Sequence, residues 1–577
     1  MCNRFLFVVA ILCLSVAARS QNFPTRFETS GGKQTATYPE IIQWWQRLDA
    51  ASPIVSMKEM GPTDAGHPLH LVVVSADKDF NIASLKKKGR HIVFVLNGIH
   101  PGEPDGIDAS MLLVRDIVAG KWALPKNVVL ALVPVYNIGG ALNRSKWYRV
   151  DQDGPEEFGF RGNSRNLDLN RDFIKADSKE ALTFTRIFHY LDPDVFVDNH
   201  VSNGADYQHV MTLIASQHNK LGGGMGEFMN NKFVPELYKM MQQRGFDLVP
   251  YVNHFGKTPE QGWTEFWDSP RYSSGFASLW HTFGFVPETH MLKPYPQRVA
   301  ATRALMESFL QFTAANGAEI KSLRQAQKTA YQTANRLPVK WSLDSSKPAS
   351  ITFKGYKSTT KESAVSNLPR LFYDRTQPFT AQIPFYNFYK EKAWIDAPKG
   401  YMIPKGWHTV IERLTANGIK MQPVKRDTTI EVEAYTITGY QASARPYEGH
   451  HTNGNVSVEK KIKTMTFRAG DVWIPFAQPG YRFLLETLEP TTEDSYFVWN
   501  FFDPILSRKE GFSDYVFEET AAKFLASNPE VKAQLEAKRK SDPAFAKSAA
   551  QQLEFVYQNA PYVEPAYMLY PVFRVVK

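Results

Sequence analysis

Cysteine is nearly absent from this 577-residue chain: there are two, Cys2 and Cys13, both within the first twenty residues. That segment, MCNRFLFVVAILCLSVAARS, sets Arg4 before an apolar run from Phe5 to Ala18 and closes on Ala18-Arg19-Ser20. A basic start, a short apolar stretch and a small-x-small end read as a secretory signal peptide. The run falls short of the roughly 20 apolar residues of a membrane span, and the bulky Leu12 before Cys13 argues against a lipoprotein signal. The expectation is a secreted or periplasmic protein with no stable membrane span. After processing no cysteine would remain, which excludes disulfides, thiolate ligands and a thiol nucleophile. Any metal site must then use histidine, aspartate and glutamate.

Other features are missing too. The chain shows no internal repeat and no low-complexity tract. Charge is only mildly biased: 67 basic residues less Arg4 and Arg19 leave 65 against 58 acidic, a net of +7. The two signs are interspersed, and the run KKIK at 460–463 fits a solvated strand edge. No nucleic-acid partner is expected. What the chain does have is 43% hydrophobic and 13% aromatic residues, enough for a soluble protein of more than one domain.

From about 37 to 335, short apolar runs alternate with helical stretches. HIVFVLN (91–97) is followed by DGIDASMLLVRDIVAG, whose Ile107, Met111, Leu112, Ile117 and Val118 form a helical stripe. NVVLALVPVYN (127–137), PDVFVDNH (193–200) and FGFVPETH (283–290) read as further buried strands, and a long helix from about Gln297 to Ala334 closes the region. Continuous apolar strands separated by helices predict an α/β fold, a mainly parallel or mixed sheet flanked by helices. From about 338 to 500 alternating runs such as TIEVEAYTITGY (429–440) predict antiparallel β structure, interrupted by one helix near 406–418 that ends on Gly418. The last seventy residues are predicted to be largely helical. The expected division is 1–20 signal peptide, 21–336 catalytic domain and 337–577 β-rich accessory domain with a helical C-terminal segment.

Four stretches carry polar residues suited to catalysis: GIHPGEPDG (98–106), RNLDLNRDF (165–173), VDNHVSNGADYQH (197–209) and VPETHMLKPY (286–295). His100 and Glu103 alone would fit an ordinary turn. His200 and Glu288, like them, follow or end predicted apolar strands, however, and open parallel sheets bind ligands at the carboxyl ends of their strands. A catalytic zinc takes three protein ligands and keeps a fourth position for water or substrate. His100, Glu103 and His200 supply three, and Glu288 is a free carboxylate able to move a proton.

This ordered set, H-x-x-E, an Asn-Arg pair, a third histidine and a strand-end glutamate, resembles the zinc carboxypeptidase family typified by carboxypeptidase A, over about residues 37 to 335. The resemblance implies one Zn²⁺ per chain held by His100, Glu103 and His200, with Glu288 as general acid/base. It implies that Asn170 and Arg171 bind the terminal carboxylate of a peptide substrate, a task suited to the bidentate guanidinium. By the same likeness Asp168 orients a zinc histidine, Arg161 stabilises the oxyanion (with Arg165, Arg149 and Arg144 as alternatives) and Tyr272 caps the substrate. The chain departs from the digestive enzymes at Gly102, where they carry an arginine. The expected activity is hydrolysis of C-terminal residues from peptides by zinc-activated water. The alternative is a zinc amidohydrolase or deacylase acting on N-acyl amino acids or cell-wall peptides. For the C-terminal half, contact with cell-wall or glycan material stands against a packing module that buttresses the cleft, and the packing role is the expectation. The pair His450-His451, in YEGHHTNGN, is expected to form a solvated turn.

Overall fold

The computed structural model describes residues 23–252 and 258–576; the expected signal peptide, with both cysteines, lies outside the described residues. The organising element is a nine-stranded sheet. In chain order its strands are β1 (Val55–Pro62), β2 (Pro68–Val74), β3 (His91–Leu96), β4 (Val128–Val133), β5 (Val195–Asp198), β6 (His200–Ser202), β7 (Met211–Ala215), β8 (Leu248–Pro250) and β9 (Phe283–His290). Across the sheet they run β1-β2-β4-β3-β5-β9-β7-β8, with β6 paired to β9. β3 pairs in parallel with β4 and β5, β9 with β5 and β6, and β7 with β8. The β1–β2, β2–β4 and β7–β9 pairings are antiparallel, so the sheet is mixed.

Every residue of β3, β4 and β5 is buried, which requires cover on both faces and explains why these strands read as unbroken apolar runs. Four helices matter most: α1 (Asp105–Val118), α2 (Lys179–Leu191), α3 (Ser273–Leu279) and α4 (Tyr295–Gln332). Phe94 of β3 and Phe196 of β5 meet Phe184 of α2, which in turn contacts Phe276 of α3. The starts of α1 and α4 are joined by a buried ion pair, Arg298 Nε to Asp105 Oδ2 at 3.0 Å. The remaining Arg298 nitrogens donate to the carbonyls of Asp153 (2.7 Å), Lys293 (2.6 Å) and Gly154 (2.8 Å). A buried guanidinium is tolerable only when its donors are used in this way.

Beyond α4 the architecture changes. Four strands form two long antiparallel hairpins, Ala349–Glu362 with Pro369–Tyr386 and Thr428–Ala442 with Asn453–Phe467. The second hairpin joins a six-stranded antiparallel sheet, and its outer strand, which holds KKIK, is the edge. Lysines on an edge strand oppose pairing with other chains. The expected helix is His408–Ala416, followed by Gly418 at φ +69°. The C-terminal stretch is helical from Asp514 to Gln558 with short breaks, but it then returns as the strand Phe573–Val575 inside the six-stranded sheet. That strand is three residues long, too short to show a period of two.

The two halves share one continuous core. Trp280, just after α3, packs on Phe483 with ring centroids 5.4 Å apart, and Trp263-Thr264 pairs in parallel with Phe385-Tyr386. Among the described residues no helix is long and apolar enough to cross a membrane.

The Arg298–Asp105 pair gives a stability prediction. Arg298→Met leaves the Asp105 carboxylate buried without its cation, and breaking such a pair costs about 3–5 kcal/mol. Urea unfolding should register a loss of that order, and a loss under about 1 kcal/mol would contradict the role given to this pair.

Candidate metal centre and active site

β3 stops at Leu96, and the chain turns through Gly98, whose φ of +67° is one that glycine adopts without strain. The turn is closed by Glu103 N–H donating to His100 O at 2.8 Å, and α1 starts directly after Pro104. His100 and Glu103 therefore sit between a buried strand and a buried helix, and both are buried. His200 opens β6, and in the parallel register of β6 and β9 it lies opposite Glu288.

His100, Glu103 and His200 offer donor atoms that all lie within 4.8 Å of one another. Glu103 bridges the two rings, with Oε1 3.2 Å from His100 Nδ1 and Oε2 3.0 Å from His200 Nδ1. The outward-facing nitrogens are held by carboxylates: His100 Nε2 is 2.9 Å from Asp168 Oδ1, and His200 Nε2 is 3.0 Å from Asp198 Oδ2. Glu103 also accepts from Val201 N–H at 2.9 Å and from Arg149 Nη1 at 2.8 Å. Two imidazoles and a carboxylate facing one point, each ring fixed from behind by a carboxylate, are a donor set that fits zinc.

The three donors line a cavity of about 530 Å³, together with Arg149, Arg161, Asn170, Arg171, Tyr251, Phe266, Tyr272 and Glu288 among others. Asp168 stands behind His100 rather than in the cavity wall. Of the four arginines considered, Arg149 and Arg161 face the cavity. Arg144 instead pairs with Glu157 at 3.4 Å and reaches the carbonyl of Ala36, while Arg165 donates to Asp177 O at 2.7 Å. All three Arg149 nitrogens are engaged: Nε with Gln152 Oε1 (2.9 Å), Nη1 with Glu103 and Nη2 with Val201 O (3.1 Å). Arg161 donates from Nε to Asp168 Oδ2 at 2.9 Å and places Nη1 3.3 Å from His100 Nδ1. Gly102 has a local reason: a Cβ there would stand 2.8 Å from Gly159 O and 2.9 Å from Arg149 Cγ. The space that a side chain would need is filled by the arginine that grips Glu103.

On the other side of the cavity, Asp168 caps a short 3₁₀ turn, Leu169–Arg171, and its Oδ1 accepts from Asn170 N–H at 2.9 Å. The Asn170 Oδ1 atom is buried with no hydrogen-bond partner among the described residues. The Arg171 guanidinium lies over the Tyr272 ring, 4.6 Å from its centroid, and Tyr272 also meets Phe266 edge-on at 5.0 Å. The structure thus brings His100, Glu103, Arg161, Asn170, Arg171, His200, Tyr272 and Glu288 to one cavity, with Asp168 behind His100.

Electrostatics divide the acids. Burial raises the Glu103 and Asp168 carboxyls, but His100 with Arg149 outweighs it at Glu103, and His100 with Arg161 and Arg171 outweighs it at Asp168; both are held well below the usual range. Burial likewise pulls His200 down, yet Asp198 and Glu103 raise it above its ordinary value. Glu288 goes the other way: burial, with Glu103 adding to it, pushes it up to about 7 against the pull of His200.

Sequence reasoning missed Asp198, although VDNH sets it two residues before His200, the spacing that puts side chains on one face of an extended chain. It also missed the anchoring of Glu103 by Arg149. The turn with His450 is docked rather than solvated: His450 Nε2 lies 2.7 Å from Asp177 Oδ2, and its ring meets Trp499 edge-on at 5.5 Å.

Residues 41–219 match the family described as zinc carboxypeptidase. Among curated proteins, the chain is 21% identical over 491 residues to carboxypeptidase 2 of Trichophyton equinum, covering 81% of this chain and 84% of that one. It is 21% identical over 495 residues to carboxypeptidase 2 of Trichophyton rubrum, covering 82% and 83%. Among solved structures, a metallo-carboxypeptidase of Burkholderia cenocepacia aligns at 17% identity with a TM-score of 0.36, over 48% of this chain and 68% of that one. One from Pseudomonas aeruginosa aligns at 16% identity with a TM-score of 0.37, over 49% and 70%.

The raised Glu288 has a thermodynamic consequence. Its folded value of about 7 exceeds its ordinary 4.5, so the fold favours the protonated acid. Its contribution to the metal-free protein is full below 4.5 and is lost as pH rises towards 7. Glu288→Gln removes that loss. Thermal melts of metal-free samples should show the variant gaining on the parent between pH 4.5 and 7, and parallel curves would contradict the assignment.

Proposed function

Because residues 41–219 match the zinc carboxypeptidase family, we propose that this protein is a zinc-dependent carboxypeptidase that removes single amino acids from the C-termini of peptides. The reading is carried by the convergence of His100, Glu103 and His200 on one cavity that also holds Glu288 and the Asn170-Arg171 pair. His100, Glu103 and His200 would hold one ion per chain. When bound, zinc polarises the scissile carbonyl and makes water more acidic.

The rest falls to the chain's own side chains. Arg171 and Asn170 grip the terminal carboxylate, which sets the scissile bond a fixed distance into the cavity. Glu288 takes a proton from the attacking water and returns it to the leaving amine nitrogen; a carboxyl poised near neutral pH suits both transfers. Arg161 faces the developing oxyanion, a role favoured over Arg149 because all the nitrogens of Arg149 are already engaged. The Tyr272 ring, resting on Arg171, covers the bound terminal residue. The first twenty residues support export, so the work would be done outside the cytoplasm.

Three measurements test this. Glu288→Gln should lower kcat by about 10²–10⁴-fold while zinc content stays unchanged, and near-parental turnover would refute the mechanism. Amidating the C-terminus of a good peptide substrate, or changing Arg171 to Ala, should raise KM steeply, since both remove the same charged contact. Mass spectrometry of a peptide library should show loss of single C-terminal residues. Faster turnover of N-acyl amino acids than of N-blocked dipeptides would instead favour the amidohydrolase reading.

A further inference from the structure

We propose that Glu448, from the β-rich C-terminal region, is a positioning residue of the metal centre: it fixes the Asp168 turn that orients His100. The inference rests on the zinc reading above and extends it to a part of the chain beyond the family match. Glu448 lies in the connection between the strands Thr428–Ala442 and Asn453–Phe467. Tyr447 and His450 exchange both backbone hydrogen bonds, at 2.8 and 3.1 Å, which makes Glu448-Gly449 a two-residue hairpin turn. Both central residues have positive φ, +50° at Glu448 and +82° at Gly449. Turns of this kind strongly favour Asn, Asp or Gly at the first position. Glutamate is a poor choice for the backbone, so the side chain is where a reason should be sought.

The side chain has one. Glu448 Oε2 accepts from the Asp168 backbone N–H at 2.7 Å, across 280 positions of sequence. Asp168 in turn accepts from His100 Nε2, Arg161 Nε and Asn170 N–H, each at 2.9 Å. One peptide unit therefore links the C-terminal region to a metal-facing histidine, the proposed oxyanion arginine and the carboxylate-binding turn.

The turn is held firmly enough to act this way. Tyr447 stacks on Trp499 with centroids 6.1 Å apart, and His450 pairs with Asp177 on the catalytic side. Arg271, next to Tyr272, bridges to Asp494 at 2.8 Å and lies 5.0 Å over the Trp499 ring. Groups from both halves thus clamp the hairpin tip on either side of Glu448.

Glu448→Gly separates position from stability, because glycine relieves the positive φ while removing the acceptor. A Glu448 that only shaped the turn would make this variant at least as stable as the parent and fully active. The expected result is an unchanged or higher Tm with kcat about 5–50-fold lower and KM within about 2-fold, together with zinc affinity weakened several-fold in a chelator competition, in line with the 10–100-fold effects of groups one contact nearer the metal. Glu448→Gln, which keeps an acceptor, should restore most of both. Parental kcat and zinc affinity in Glu448→Gly overturn the inference. Zinc affinity is read without substrate, so failure of the carboxypeptidase reading, seen as an inactive parent, stays distinguishable from failure of this one.

Discussion

Everything around the metal centre answers one electrostatic demand. Three donor atoms meet within 4.8 Å inside the protein, and a buried cluster of this kind must keep its geometry without relying on water. The chain meets the demand by backing each donor with a group of complementary charge or hydrogen-bonding capacity. Asp168 and Asp198 hold the two rings from behind, and Arg149 with Val201 N–H holds Glu103. These backing groups need support in turn, and the support reaches outward: to the Arg161 and Glu448 contacts of Asp168, and to the packed aromatic bed of Trp499. The cavity is the innermost of several nested layers, each of which fixes the one inside it.

The same demand explains why one carboxylate differs from the others. Glu103 and Asp168 are surrounded by cations and remain ionised. Glu288 is pushed up to about 7 by burial, with Glu103 adding to it against the pull of His200. Two kinds of acid, one held ionised and one raised towards neutral pH, result from placement alone.

Much of this was legible in the sequence, and the reason is positional. His100, Glu103, His200 and Glu288 follow or end apolar runs that could only be buried strands, and parallel strands deliver their ends to one edge. Asn170-Arg171 was legible through resemblance. Asp198 was within reach, given its spacing from His200. Glu448 was not: nothing in a Tyr-Glu-Gly-His turn signals a partner 280 positions away, and only the positive φ betrays it. The return strand Phe573–Val575 was equally hidden, because three residues carry no periodic signal. Short-range patterns reveal elements, whereas contacts between distant loops depend on the assembled fold.

That return strand bears on how the site is supported. Phe573–Val575 sits between Gly400–Ile403 and the hairpin strand Thr428–Ala442, and Tyr570 N–H donates to Tyr435 O at 2.9 Å. The hairpin that presents Glu448 is thus seated by a segment the ribosome makes long afterwards. The nine-stranded sheet is complete without that segment, whereas the hairpin whose tip meets Asp168 has it as a neighbour. The support of the site thus runs through a segment far downstream of every residue that lines the cavity.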